Sequence, residues 1–182
     1  MKRIFIAISF SEEVKNSLAE LQKKIQPLLT RGRMTNPALF HLTIQFLGEL
    51  REESVMNLLS DHHHWVASIP HFHLKISKTG YFEKRNKCIL WTGVEESLPL
   101  HQLAAQIRET LAVLGHGDER PFRPHVTLAR EAVFRDQEAV ETYNSLMVSA
   151  KPVLVDRFQI MESTRDEQGL IYQPLKEINW KS

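Results

Sequence analysis

The sequence predicts an α+β fold of two pseudo-symmetric lobes, each an antiparallel sheet with helices packed on its outer face, around a cleft. Three observations lead there. Segments with the two-residue apolar period of strands are interleaved with segments of helical spacing along the whole chain. The order of these segments repeats: an offset of 84 residues carries strand 4–8 onto 88–92, helix 52–66 onto 136–150, and strand 71–77 onto 155–161. Finally, one short pattern, His-x-Thr followed by an apolar residue, stands at the same place in both copies, beginning at His41 and at His125. We therefore expect a single two-lobed domain over 1–182, with approximate repeats 1–84 and 85–168 and a closing strand.

The elements follow in order. Ile4, Ile6 and Ile8 alternate with Phe5, Ala7 and Ser9, a first strand. Ser11 is a helix N-cap with Glu12 and Glu13 in the first turn, and Val14, Leu18, Leu21, Ile25 and Leu28 share one helical face that Pro27 and Gly32 bring to a close. A strand over about 39–47 ends at Gly48. Val55, Leu58, Leu59 and Val66 place a helix over Glu52–Ala67, stopped by Pro70. His71–Ser77 and Lys87–Val94 alternate as strands. Pro99 opens a helix through Leu100, Leu103, Ile107, Leu111 and Leu114, ended by Gly115 and Gly117. The second His-x-Thr strand covers about 123–130. A short helix follows over Asp136–Met147, and strands at Val153–Glu162 and Leu170–Ile178 turn through Gly169.

Composition excludes several classes. With 42% hydrophobic and 25% charged residues, 182 residues suffice for one soluble globular body. A formal net charge of +1 gives no global positive field, so an anionic ligand must be held by local groups. The single cysteine, Cys88, excludes an internal disulfide, reads as a core residue, and fits a reducing, cytoplasmic setting. No apolar run approaches ~18 residues, so no membrane contact is expected. MKRIFIAISF breaks too soon, at Ser11, for a secretory signal and is read as a strand. Nothing marks an assembly segment, and a monomer is expected.

Side chains alternate between strand faces, so His41 and Thr43 share a face, as do His125 and Thr127, each pair roughly 6.5–7 Å apart. Leu42, Ile44 and Phe46 then lie behind the first pair, Val126 and Leu128 behind the second. Nine histidines and nine threonines give about 0.45 such triplets by chance, so two copies in matching strands of a repeat carry more weight than the bare motif. The same alternation puts Gln45 beside His41 and turns Arg130 away from His125. Arg123 and Arg130 nevertheless flank the second motif, and guanidinium suits phosphate.

HLTIQFLGEL and RPHVTLAR resemble the paired signatures of the two-histidine phosphoesterases, and among them the RNA 2',3'-cyclic phosphodiesterases of the 2'-5' RNA ligase family. RIFIAISF, FLGEL and PFRPHVTLAR carry the resemblance across nearly the whole chain. It implies His41 as proton donor, His125 as proton acceptor, and Thr43 and Thr127 as phosphate-binding residues, with Arg130 a further candidate. It also implies water attack that releases the 3' oxygen and leaves a 2'-phosphate. The expected partner is an RNA with a 2',3'-cyclic phosphate end, or a small cyclic nucleotide.

The residues suit that chemistry on their own terms. Imidazole, with an ordinary pKa near ~6.5, serves as acid or base at neutral pH, and hydroxyls donate to non-bridging oxygens. No metal or cofactor is expected. Two other functions fit the same residues: 2'-5' ligation at the same site by microscopic reversibility, and nucleotide or RNA binding without catalysis. Other histidines read as bland. Adjacent His62, His63 and His64 point about 100° apart on a helix and cannot grip one ion. His71 and His73 share an exposed strand face. Phe5 shares a face with Arg3 and Ala7, and reads as core more than as a base-stacking surface.

Overall fold

A computed structural model describes residues 1–60, 69–116, 121–167 and 169–180. Ten strands and four helices occur among them, in the order β1 (Lys2–Ser9), α1 (Glu12–Ile25), β2 (Leu29–Met34), β3 (His41–Leu50), α2 (Glu52–Ser60), β4 (Phe72–Leu74), β5 (Ile76–Lys84), β6 (Lys87–Val94), α3 (Leu98–Val113), β7 (His125–Phe134), α4 (Gln137–Ser145), β8 (Val153–Val155), β9 (Arg157–Asp166) and β10 (Gly169–Asn179). The His62–His64 run and the end of the expected helix 52–67 lie outside the described residues.

Two four-stranded antiparallel sheets carry the fold, in the orders β10-β9-β1-β3 and β2-β7-β6-β5. The motif strands β3 and β7 each have ten residues and each pair with the first strand of their own half, β1 and β6. The third strand of each half does not stay at home. β9 pairs with β1, and β5 pairs with β6, so β9 from the second half completes the sheet of the first. β5, the first half's third strand, completes the sheet of the second. Short strands β4 and β8 precede these two, and they pair with each other where the segments run past one another. The lobes are therefore pseudo-symmetric but are not the two halves of the sequence. We infer one two-lobed domain with repeats near 1–84 and 85–168, tied by this exchange, with β10 appended at a sheet edge.

One apolar core runs through both lobes. Ile4, Ile6 and Ile8 of β1 meet Val14, Leu18, Leu21 and Ile25 of α1, and Leu100, Leu103, Ile107 and Leu111 of α3 join the same cluster with Val126 and Leu128 of β7. Helix starts are capped as the sequence requires: Ser11, Ser97 and Asp136 accept from Val14, Leu100 and Ala139 amides at 3.4, 3.4 and 2.7 Å. α4 is fixed on β5 and β6 by Tyr143, fully buried. Its hydroxyl accepts from the Trp91 amide at 3.1 Å and faces the Gly80 and Trp91 carbonyls at 2.8 and 2.9 Å. Burial pushes that phenol well above its ordinary pKa.

Two strands were not legible from alternation. β2 is a mostly exposed edge strand, with a glycine and two arginines at its centre. β5 continues from Ile76 to Lys84, past the Ser77 expected as its end. Gly80 sits within this strand under the Trp91 indole: a β-carbon there would meet that ring at 2.3 Å. Cys88 is half-buried at the margin of the core.

Candidate active site

The two motif strands approach one another, and His41, Thr43, His125, Thr127 and Arg130 all line one cavity of about 960 Å³. Leu42, Ile44, Val126 and Leu128 lie behind them, each at most 5% exposed, as alternation predicts.

Alternation then breaks in both strands, in the same way. Thr43 lies opposite Ala7 and Gln45 opposite Ile6, so Ile44 is an extra residue in β3. Thr127 lies opposite Trp91 and Ala129 opposite Leu90, so Leu128 is extra in β7. A bulge turns over every residue beyond it. Gln45 and Ala129 consequently join the buried face. Phe46 and Arg130 turn into the cavity, 84 residues apart. The expectations that Gln45 lines the pocket, that Phe46 backs it and that Arg130 points away are all corrected by this one irregularity. A second shift follows in both ladders beside residues at positive φ, Gly48 (79°) and Glu131 (54°).

The β7 bulge is held from α1. Gln22, buried, donates to the Leu128 carbonyl at 2.7 Å and to the Thr35 carbonyl at 2.8 Å, and the Thr35 amide donates to the same Leu128 carbonyl at 2.9 Å. The sequence reading missed Gln22. A lone polar residue inside the apolar face Leu18–Leu21–Ile25 was the available signal.

Both imidazoles are oriented alike. His41 Nδ1 lies 2.8 Å from the Leu39 carbonyl, and His125 Nδ1 lies 2.6 Å from the Arg123 carbonyl, each two residues back. Only an N–H fits against a carbonyl, so Nδ1 carries hydrogen in both and Nε2 is the exchanging nitrogen. His41 Nε2 lies 2.8 Å from Thr43 Oγ1. Arg123 thus contributes its backbone, and its side chain is not part of the cavity wall.

The packing of the two rings differs. Phe5 and Tyr172 hold His41, with centroids at 5.0 Å each. Phe5 is buried, as expected, yet it floors the cleft with Phe46 and Tyr172 and is backed by Met161. Phe82, at 5.1 Å and edge-on, and Trp91, at 6.4 Å, hold His125. Burial lowers the pKa of both imidazoles. Their backbone hydrogen bonds oppose this, and the Arg130 charge adds to the lowering, joined at His41 by His125. The cavity wall carries Arg3, Arg33, Arg130 and Arg165 against Glu49 and Glu162, a local positive excess in a nearly neutral chain.

The other described histidines stay outside this cavity. His71 donates to the Trp180 carbonyl at 2.7 Å, and His73 is exposed on β4. Among the described residues no three His, Cys, Asp or Glu side chains converge as a metal set. No helix among them is long and apolar enough to cross a membrane.

Comparison with known proteins points the same way. Residues 10–167 match the model of the 2'-5' RNA ligase superfamily. The chain is 30% identical over 182 residues to the RNA 2',3'-cyclic phosphodiesterase of Thermotoga maritima, covering 98% of this chain and 96% of that one. It is 35% identical over 185 residues to the protein of the same name from Thermus thermophilus, covering 97% and 89%. Among solved structures, E. coli LigT complexed with 3'-AMP aligns with TM-score 0.76 at 26% identity over 100% of this chain and 99% of that one. A Thermus thermophilus protein aligns with TM-score 0.73 at 27% identity over 97% of each. A family match over most of the chain, on a fold that puts both His-x-Thr pairs in one cavity, makes this protein a member of the 2'-5' RNA ligase superfamily.

Proposed function

We propose that the protein hydrolyses 2',3'-cyclic phosphodiesters, at RNA ends or on small nucleotides, to 2'-phosphomonoesters by general acid–base catalysis without a metal. The observation that carries the reading is the pair of imidazoles in one cavity, each with Nδ1 tied to a carbonyl and Nε2 directed inward. In-line displacement at phosphorus needs a base beside the entering oxygen and an acid beside the leaving one. Matching strands of two pseudo-symmetric lobes are suited to supply them from opposite sides.

His125 is the base in this reading. Its ring is the less buried of the two, which leaves room for the attacking water. Neutral Nε2 takes the water proton as the water oxygen bonds to phosphorus. His41 is the acid: protonated Nε2 gives its hydrogen to the 3' oxygen as the phosphorus–3' oxygen bond breaks. The net change consumes one water, and turnover returns both imidazoles to their starting states once they re-equilibrate. Thr43, Thr127 and Arg130 hold the non-bridging oxygens, where charge accumulates. A bound phosphodiester anion also raises the His41 pKa, so substrate itself favours the protonated acid.

The test is turnover of a nucleoside 2',3'-cyclic phosphate, with chelator present, by His41→Ala and His125→Ala. Each variant is expected to lose about 10²–10⁴-fold in kcat, with the native product carrying its phosphate on the 2' oxygen. Near-native rates in either variant end the assignment.

A further inference from the structure

The reaction above concerns one phosphate, yet four guanidiniums line the cleft. Arg130 is the one whose charge both imidazoles feel. Arg3 and Arg165 stand elsewhere, on the sheet of β1, β9 and β10. Arg3 lies opposite Ser163, and Ser163 opposite Tyr172, so the three form one row on the cleft face. Arg165 lies two residues further along β9, opposite Leu170, about 7 Å beyond that row. Thr43 is opposite Ala7, four residues along β1 from Arg3, so the Arg3 row stands about 13 Å from the motif hydroxyl.

Both guanidiniums are exposed, and neither has a carboxylate partner among the described residues. Of the two carboxylates on this wall, Glu162 is taken by Lys2 at 2.9 Å, and Glu49 stands opposite Arg3 in the ladder without an ion pair to it among the described residues. Arg3 is instead laid over the Phe46 ring, 5.0 Å from its centroid. Between the Thr43 row and the Arg3 row comes the pair Phe5 and Phe46, with Tyr172 packed on Phe5 at 4.9 Å. Along the cleft, the order is thus a phosphate site, an aromatic floor, and a second cluster of unpaired guanidiniums. A nucleotide chain has the same order: phosphate, nucleoside, phosphate. Phe5 is buried, so the exposed part of this floor is Phe46 and Tyr172; such rings accept a nucleoside by stacking, and guanidiniums accept the next phosphate by paired charge-assisted bonds.

We propose that Arg3 and Arg165 form a second phosphate subsite. It holds the phosphate on the 5' oxygen of the nucleoside that bears the cyclic phosphate, which in RNA is the preceding phosphodiester. The proposal rests on the phosphodiesterase reading and narrows its substrate to the end of an RNA chain.

Three substrates sharing one terminal nucleoside test it: the nucleoside 2',3'-cyclic phosphate, the same compound with a 5'-phosphate, and a dinucleotide ending in it. The native enzyme is expected to favour the second and third over the first by about tenfold in kcat/KM. Its rate on them should fall with salt with a logarithmic slope steeper by about 0.7, the value for one single-strand phosphate contact. In R3Q/R165Q both the preference and the extra slope should collapse, a result that a merely structural role does not produce. R165Q alone, at an exposed position near a hairpin tip, serves if the double variant misfolds. A native preference near unity, or one that survives R3Q/R165Q, overturns the subsite. A gain for the 5'-phosphate but not for the dinucleotide overturns the RNA chain as its occupant. Failure of all three substrates overturns the phosphodiesterase reading and the subsite with it.

Discussion

Gln22 offers a test of how the fold aims Arg130. Its amide makes two hydrogen bonds in a buried setting, to the Leu128 and Thr35 carbonyls. In Gln22→Leu both are lost at similar side-chain size. The Leu128 carbonyl keeps its bond from the Thr35 amide at 2.9 Å, so it is not left bare, whereas the Thr35 carbonyl loses this donor. Two neutral bonds at about 1 kcal/mol each predict a loss of about 2 kcal/mol. For a chain of this length that is a Tm lower by about 4–8 °C. Gln22→Glu should cost more than Gln22→Leu, because a carboxylate would face two carbonyls. The bulge also sets which way Arg130 points, so kcat/KM on a cyclic nucleotide should fall in both variants even where the protein is folded. Urea unfolding and steady-state assays at 25 °C measure the two effects. A Gln22→Leu variant with native stability and native kcat/KM would refute the claim that this contact holds the bulge.

Further outcomes are expected. Burial and Arg130 lower both imidazoles below their usual 6.5, so the kcat/KM optimum should lie on the acid side of that value. The basic limb of kcat should lie higher than that of kcat/KM, because bound phosphodiester raises His41; coincident limbs would contradict this. For the same groups the folded protein resists protonation, so their share of stability is complete above pH 6.5 and declines as pH falls from there to their lower folded values, readable as urea midpoints at pH 7.5 and 5.5. Arg130→Gln should reduce kcat/KM by about 10–100-fold, the effect of one charged hydrogen-bonding partner, with Arg130→Lys recovering part of it. Gly80→Ala puts a methyl 2.3 Å from the Trp91 ring, which should cost about 1–3 kcal/mol and lower kcat through the displaced neighbour of His125; an unchanged melting curve would argue against that packing.

The motif residues were legible because they precede every irregularity in their strands. His41, Thr43, His125 and Thr127 obey alternation, and their apolar backs follow suit. Past Ile44 and Leu128 the same rule gives the wrong face, since one extra residue inverts all that follow. A bulge leaves little mark in sequence when both of its residues are buried: Ile44-Gln45 and Leu128-Ala129 read as ordinary steps of a strand. The strand exchange was equally hidden. A repeat of element order is the same whether the third strand stays in its own sheet or crosses, and the crossing is marked by the pairing of β4 and β8, three residues each. Yet the two errors have a common remedy in the repeat. Phe46 and Arg130 are equivalent positions and turn into the cavity together, and a parity rule applied to either alone could not reveal it. The two lobes use that shared turn differently. In one it brings an aromatic ring beside Phe5, and in the other a guanidinium whose charge both imidazoles feel. Under the proposed reading, these unlike residues at matched bulges would serve the nucleoside and the phosphate of one substrate.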